Sequence, residues 1–195
     1  MQLKITFNSP VILCFAALSS IVLVLDFVTL GFTTHLLFST YNSSLLNLLT
    51  YLRFFTHVLG HVDWNHFIGN MAYILLIGPL LEEKYGAKKM IEVIAVTALV
   101  TGVINWALFP LTSLCGASGV CFAFILLSSF TSINEKEIPI TFILVALIFL
   151  GQQVYEGLFV RDNIAHLAHI VGGIVGAVFG FALTTKKKQE VAPVK

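Results

Sequence analysis

The sequence predicts an all-α membrane protein, a bundle of six transmembrane helices, on three observations. Of its 195 residues, 57% are hydrophobic and 11% charged, where soluble domains carry roughly 25% charged residues. Mean hydropathy is +0.93. The apolar residues gather in six runs near the roughly 20-residue length that crosses a bilayer core. The breaks between them carry turn and charge chemistry at Glu82–Lys89, Phe109–Ala117, Ser132–Pro139 and Glu156–Asn163. A net charge of +1 offers no basis for a nucleic-acid partner.

The first run is Pro10–Phe32. It is too long for the apolar core of a cleaved leader, lacks a clear A-x-A site and is followed by further runs, so it is expected to be a span. The second and third spans are expected at Trp64–Leu81 and Met90–Phe109. The fourth, Ser118–Ser132, is short, which predicts burial inside the bundle. The fifth covers Ile138–Tyr155 and the sixth Ile164–Leu183. In the sixth, Ala168, Gly172, Gly176 and Gly180 recur every four residues and give one smooth face for close helix packing. No internal repeat is visible, and the whole chain, 1–195, reads as one bundle.

Six spans put both termini on one side with the second and fourth breaks. That side holds Lys4, Lys84, Lys88, Lys89, Lys136, Lys186, Lys187, Lys188 and Lys195, and the other only Arg53 and Arg161. Basic residues mark the cytoplasmic side, so both termini are expected there. Ser118, His169, His66 and Asn70 then all fall near the outer ends of their spans, at one depth.

Polar groups inside a membrane bundle are costly, and they either glue helices together or serve a function. Ser118 stands in "CGASGVCF" (115–122), where Gly116 and Gly119 permit a tight turn and a close approach of a substrate backbone. It reads either as a helix-gluing serine or as a nucleophile beside the unsatisfied N–H groups of a helix start. His169, three residues before Gly172, reads either as a satisfied core histidine or as a general base. His166, one turn nearer the surface, is expected to face water. His57, His61 and His66 raise the question of a metal, but no HExxH is present and only Asp63 accompanies them. His66 and Asn70, four apart, share a helix face from which both can donate to an oxyanion. His57 and His61 read as structural polar residues of the outer loop. Cys14, Cys115 and Cys121 form no CxxC pair and read as free thiols packing as small apolar groups.

Taken together, these motifs resemble the rhomboid family of intramembrane serine proteases. "GASG" (116–119) resembles its GxSG, "AHIVGGIVG" (168–176) its AHxxGxxxG, and "HVLGHVDWNHFIGN" (57–70) its second-span histidine pattern. Arg53 stands where the family often carries a Trp-Arg pair, with Leu52 in the tryptophan position. Glu82 and Gly86 resemble the acid–glycine turn that closes the family's second span. The resemblance implies Ser118 as nucleophile and His169 as base, in a dyad with no acid. It implies an oxyanion hole from His66, Asn70 and the Ser118 backbone, with Gly116, Gly119, Gly172 and Gly176 as packing positions. Phe122 stands where relatives often have a tyrosine stacking on the histidine, keeping the aromatic face and losing the hydroxyl. The implied substrates are transmembrane proteins cut in or near the membrane, with the bilayer as the other partner and neither metal nor cofactor. The implied location is a bacterial inner membrane. The competing readings are a catalytically inactive rhomboid-like binding or quality-control factor, whose kind usually lacks the serine or histidine, and a small transporter, for which no inverted repeat is visible.

Overall fold

A computed structural model describes residues 7–130, 140–159 and 166–191. Helix α1 (Pro10–Val28) begins on its proline, and its first turn finds its acceptor far along the chain. The N–H groups of Val11 and Ile12 donate to the two carboxylate oxygens of buried Glu82 at 3.1 and 3.0 Å. A carboxylate is well matched to a helix N-terminus by charge as well as by hydrogen bonding. The resemblance had offered Glu82 only as part of a turn.

The apolar run continues to Phe32, but the helix stops at Val28. Leu30 and Gly31 take φ of 53° and 89°, and the Gly31 N–H turns back to the Asp26 carbonyl at 2.9 Å. A left-handed glycine ends a helix whatever the hydropathy around it. Helix α2 (Phe32–Leu37) follows, tied to α1 by the Thr34 N–H donating to the Asp26 carboxylate at 2.8 Å.

The stretch expected to be an outer loop holds more structure than its composition announced. Asn47 caps α3 (Leu48–Thr56) by accepting from the Leu49 N–H at 3.0 Å, and a 3-10 turn spans His57–Leu59. Arg53, counted above as an outer-loop charge, is buried: its Nε donates to the Leu36 carbonyl at 2.8 Å and its guanidinium lies 4.5 Å above the Tyr41 ring. His57 and His61 are likewise buried, at 1% and 0% exposure. Burial lowers the His57 pKa to about 4 even though a backbone carbonyl, Ala98, sits against the ring and opposes that shift. His57 is therefore a neutral strut and not a solvated loop residue.

The remaining elements are α4 (Trp64–Tyr85), α5 (Ala87–Leu108), α6 (Ser118–Ser128), α7 (Ile140–Phe159) and α8 (His166–Val191). Asp63 caps α4 by accepting from the His66 N–H at 2.8 Å. Only Gly86, at φ 81°, separates α4 from α5, so the charged break at Glu82–Lys89 is almost wholly helical. The expected break at Glu156–Asn163 begins inside α7, and its remainder, with Arg161 and Asp162, lies outside the described residues, as do Ser132–Pro139. Helix α6 is shorter than its expected span, ending at Ser128. Helices α1, α5 and the His166–Leu183 part of α8 are each long and apolar enough to cross a membrane. Among the described residues no β-strand occurs. One antiparallel bridge joins Thr40 to Leu114 through bonds of 2.9 and 2.8 Å, clasping the segment after α2 to the one before α6.

At 1.5 Å per residue, α6 is only about 16 Å long, and it is the core of the bundle. Gly119 to Cys121 and Ala123 to Leu127 are all buried, while large apolar side chains such as Leu76, Leu80, Leu147 and Ile174 point outward. That inversion suits a hydrocarbon solvent. The smooth face of α8 meets α6. A Cβ built on Gly172 would lie 2.1 Å from the Gly119 carbonyl oxygen, one on Gly176 2.1 Å from that of Ala123, and one on Gly180 2.3 Å from the Phe130 ring. The chain is a multi-pass integral membrane protein built as a helical bundle.

Candidate active site

Ser118 is the first residue of α6, and its side chain is not spent on capping the helix. The first α6 hydrogen bond runs from the Cys121 N–H to the Ala117 carbonyl at 2.9 Å, so the N–H groups of Ser118, Gly119 and Val120 precede the helical ladder. The loop ahead of the serine is fixed from two sides. The Gly116 N–H donates to the His57 carbonyl at 2.9 Å, and the His57 ring Nε2 lies 3.0 Å from the Ala98 carbonyl on α5. Gly116 itself has φ 125°, a backbone region in which only glycine is comfortable.

Close packing of α8 on α6 brings His169 to the serine. Its Nε2 lies 2.7 Å from the Ser118 Oγ, with both residues half-buried. Phe122, one turn further along α6, stacks on the imidazole with centroids 4.8 Å apart and planes within 6°. The phenyl ring supplies the flat face without needing the hydroxyl. Phe149 of α7 meets the other side of this assembly edge-on, 5.5 Å from Phe122. His166, expected to face water, is instead buried, with its ring 6.3 Å from that of His169.

His66 and Asn70 converge on Gly116 from α4. A Cβ at Gly116 would stand 2.7 Å from the His66 Nε2 and 3.6 Å from the Asn70 Nδ2, so glycine is required there both by conformation and by the ring beside it. Asn70 is buried, and its Nδ2 has no hydrogen-bond partner among the described residues. His61 packs edge-on against His66 at 5.2 Å, with its own Nδ1 3.2 Å from the Leu59 carbonyl. The His57 and His61 rings thus each set one nitrogen against a backbone carbonyl, and the His66 ring packs on that of His61. The free thiols stand as expected, Cys14 exposed, Cys115 half-buried and Cys121 buried. For Cys121 sequence reasoning saw only packing, whereas its Sγ lies 3.5 Å from the Asn70 carbonyl and 3.7 Å from the Asn70 Oδ1. Its position one turn after Ser118 was the signal available.

A site of this kind contains a hydroxyl on an imidazole, an aromatic plate behind that imidazole, and unsatisfied donors opposite. Comparison with known proteins agrees with the architecture. The family model described as the rhomboid domain matches residues 49–186. The chain is 30% identical over 142 residues to rhomboid-related protein 1 of Caenorhabditis elegans, covering 67% of this chain and 39% of that protein. It is 24% identical over 152 residues to the chloroplastic rhomboid-like protein 11 of Arabidopsis thaliana, covering 71% and 54%. With the rhomboid protease GlpG of Haemophilus influenzae it shares 25% over 146 residues, covering 71% and 73%. It thus spans about half or less of the nematode and plant relatives. On a domain match running from α3 into α8, the chain belongs to the rhomboid family.

Proposed function

We propose that this protein is an intramembrane serine endopeptidase that hydrolyses peptide bonds in or near transmembrane segments of other membrane proteins. The observation that carries the reading is the 2.7 Å approach of the Ser118 Oγ to the His169 Nε2. In this reading the Oγ attacks the scissile carbonyl carbon while its proton passes to Nε2. The oxyanion is met by the unladdered N–H groups at the start of α6 and by the Asn70 and His66 side chains. The imidazolium then protonates the leaving amine, leaving an acyl ester on Ser118. Water, deprotonated by the same Nε2, attacks that ester and releases the acid. For Nε2 to accept, the ring proton must sit on Nδ1, and the Phe122 stack holds the plane of the ring while that exchange occurs. The lysine bias supports cytoplasmic termini, with the site opening toward the opposite side, and the likeness to the GlpG protease of Haemophilus influenzae supports a bacterial inner membrane as the location.

The test is cleavage of a single-span substrate in liposomes by purified protein beside Ser118→Ala. Product from the wild type alone is expected. No product from either, with intact fold, would favour an inactive family member. Graded losses are expected from the donor side chains. Removing one positioned donor costs about 10²–10³ in kcat, and here the charge is shared, so Asn70→Ala should lose less than Ser118→Ala. His66→Ala should fall between, because its ring also packs on Gly116. Both should lower kcat more than they raise KM. A change confined to KM would make them substrate-binding residues.

A further inference from the structure

An asparagine amide has a donor end and an acceptor end, and its terminal torsion is broad and nearly two-fold. Asn70 can serve an oxyanion only with Nδ2 turned toward the site. Turned over, it would present Oδ1 to a developing negative charge and oppose it. The Nδ2 end faces Gly116 and is buried with no partner among the described residues. Among the described residues no group holds the amide on that side, and the neighbour that can orient it stands at the Oδ1 end. Among the described residues, the donor within reach there is the thiol of Cys121, 3.7 Å from Oδ1. Cys121 is 4% exposed and belongs to the rigid first turn of α6, the turn that starts with Ser118.

We propose that Cys121 is a positioning residue for the candidate oxyanion hole, its S–H donating to the Asn70 Oδ1 and holding the amide with Nδ2 turned to the site. A thiol is a weak donor, but this one need only bias a two-fold choice and it acts away from competing water. It also couples α6 to α4, since the same sulfur lies 3.5 Å from the Asn70 backbone carbonyl. The serine and the amide are then held by one helical turn.

This proposal rests on reading Asn70 as an oxyanion donor, and the experiment keeps the two apart. Cleavage is measured for Cys121→Val, Cys121→Ala, Asn70→Ala and the two double variants, with Ser118→Ala as the reference for the protease reading and thermal stability followed in parallel. Cys121→Val removes the donor and keeps a buried apolar group, while Cys121→Ala avoids any overpacking. A hydrogen bond of ordinary net strength corresponds to about a 2- to 10-fold effect, so each single Cys121 variant should lower kcat by that factor with KM unchanged. In the Asn70→Ala background the same changes should cost nothing further. An equal loss in both backgrounds would make Cys121 a packing residue and overturn the proposal, as would full activity in both single variants. Persistent cleavage by Ser118→Ala would instead overturn the protease reading.

Discussion

Ser118→Ala and His169→Ala are each expected to abolish cleavage, with the double variant no worse than either. The reason is the shared proton: with Oγ and Nε2 2.7 Å apart, neither group performs a step without the other. Residues that work as a unit are strongly non-additive, and single losses of about 10⁴–10⁶ in kcat are the scale for such pairs. Thermal stability should change little, because both side chains are only half-buried and neither caps a helix. Phe122→Ala should show a milder form of the same defect, since the imidazole keeps its partner and loses the plate beneath it. Steady-state cleavage of one substrate by the four variants measures all of this. Multiplicative losses in the double variant would mean that the two residues act separately, and the dyad reading would fail.

Gly172→Ala is expected to damage both stability and activity, although alanine is the better helix former. The propensity gain is about 1 kcal/mol. Against it stands a methyl group 2.1 Å from the Gly119 carbonyl oxygen and 2.9 Å from its Cα, a backbone contact that no rotamer change relieves. Overpacking of this sort typically costs 1–3 kcal/mol and sometimes more. Relief requires α8 to withdraw from α6, and that withdrawal lengthens the Ser118–His169 contact, so cleavage should fall at least about tenfold. Gly176→Ala meets the Ala123 carbonyl at the same 2.1 Å, one turn further from the serine. It should lose comparable stability and less activity. Gly151→Ala on α7, with nothing within 4 Å of its Cβ among the described residues, is the control and should be neutral or slightly stabilising. Thermal unfolding in detergent together with turnover reads the series. Wild-type behaviour of Gly172→Ala would show that the two helices are not held by backbone contact.

The helices α1, α5 and α8, each with a stretch long and apolar enough to cross a membrane, were visible because hydrocarbon selects composition, and composition is what a residue string displays. The sequence made the α8 face visible because a four-residue glycine period has few other uses. Helix ends were less legible. The stop after Val28 depends on a backbone angle at Gly31, and the near-fusion of α4 and α5 depends on a single left-handed Gly86. Neither is written in hydropathy. The burial of Arg53, His57 and His61 was hidden for a different reason. One nitrogen of each is answered by a carbonyl, that of Leu36, Ala98 or Leu59, and a carbonyl looks the same in every residue. At the site, the residue types of Ser118, His169, His66 and Asn70 pointed to one depth, but their convergence around Gly116 and Phe122 is a property of three packed helices. Cys121 was read as packing because one thiol in an apolar helix carries no pattern.

The Glu82 clamp has a consequence for how the protein is made. The acceptor for the first turn of α1 is encoded 70 residues after Ile12. As the chain leaves the ribosome, α1 therefore enters the membrane with two amide groups still open to interfacial water, and they stay so until the end of α4 has been synthesised and inserted. The first two long helices can dock in their native register only then. Until then the first turn of α1 lacks its native acceptor, although its far end can already be joined to α2 through Asp26.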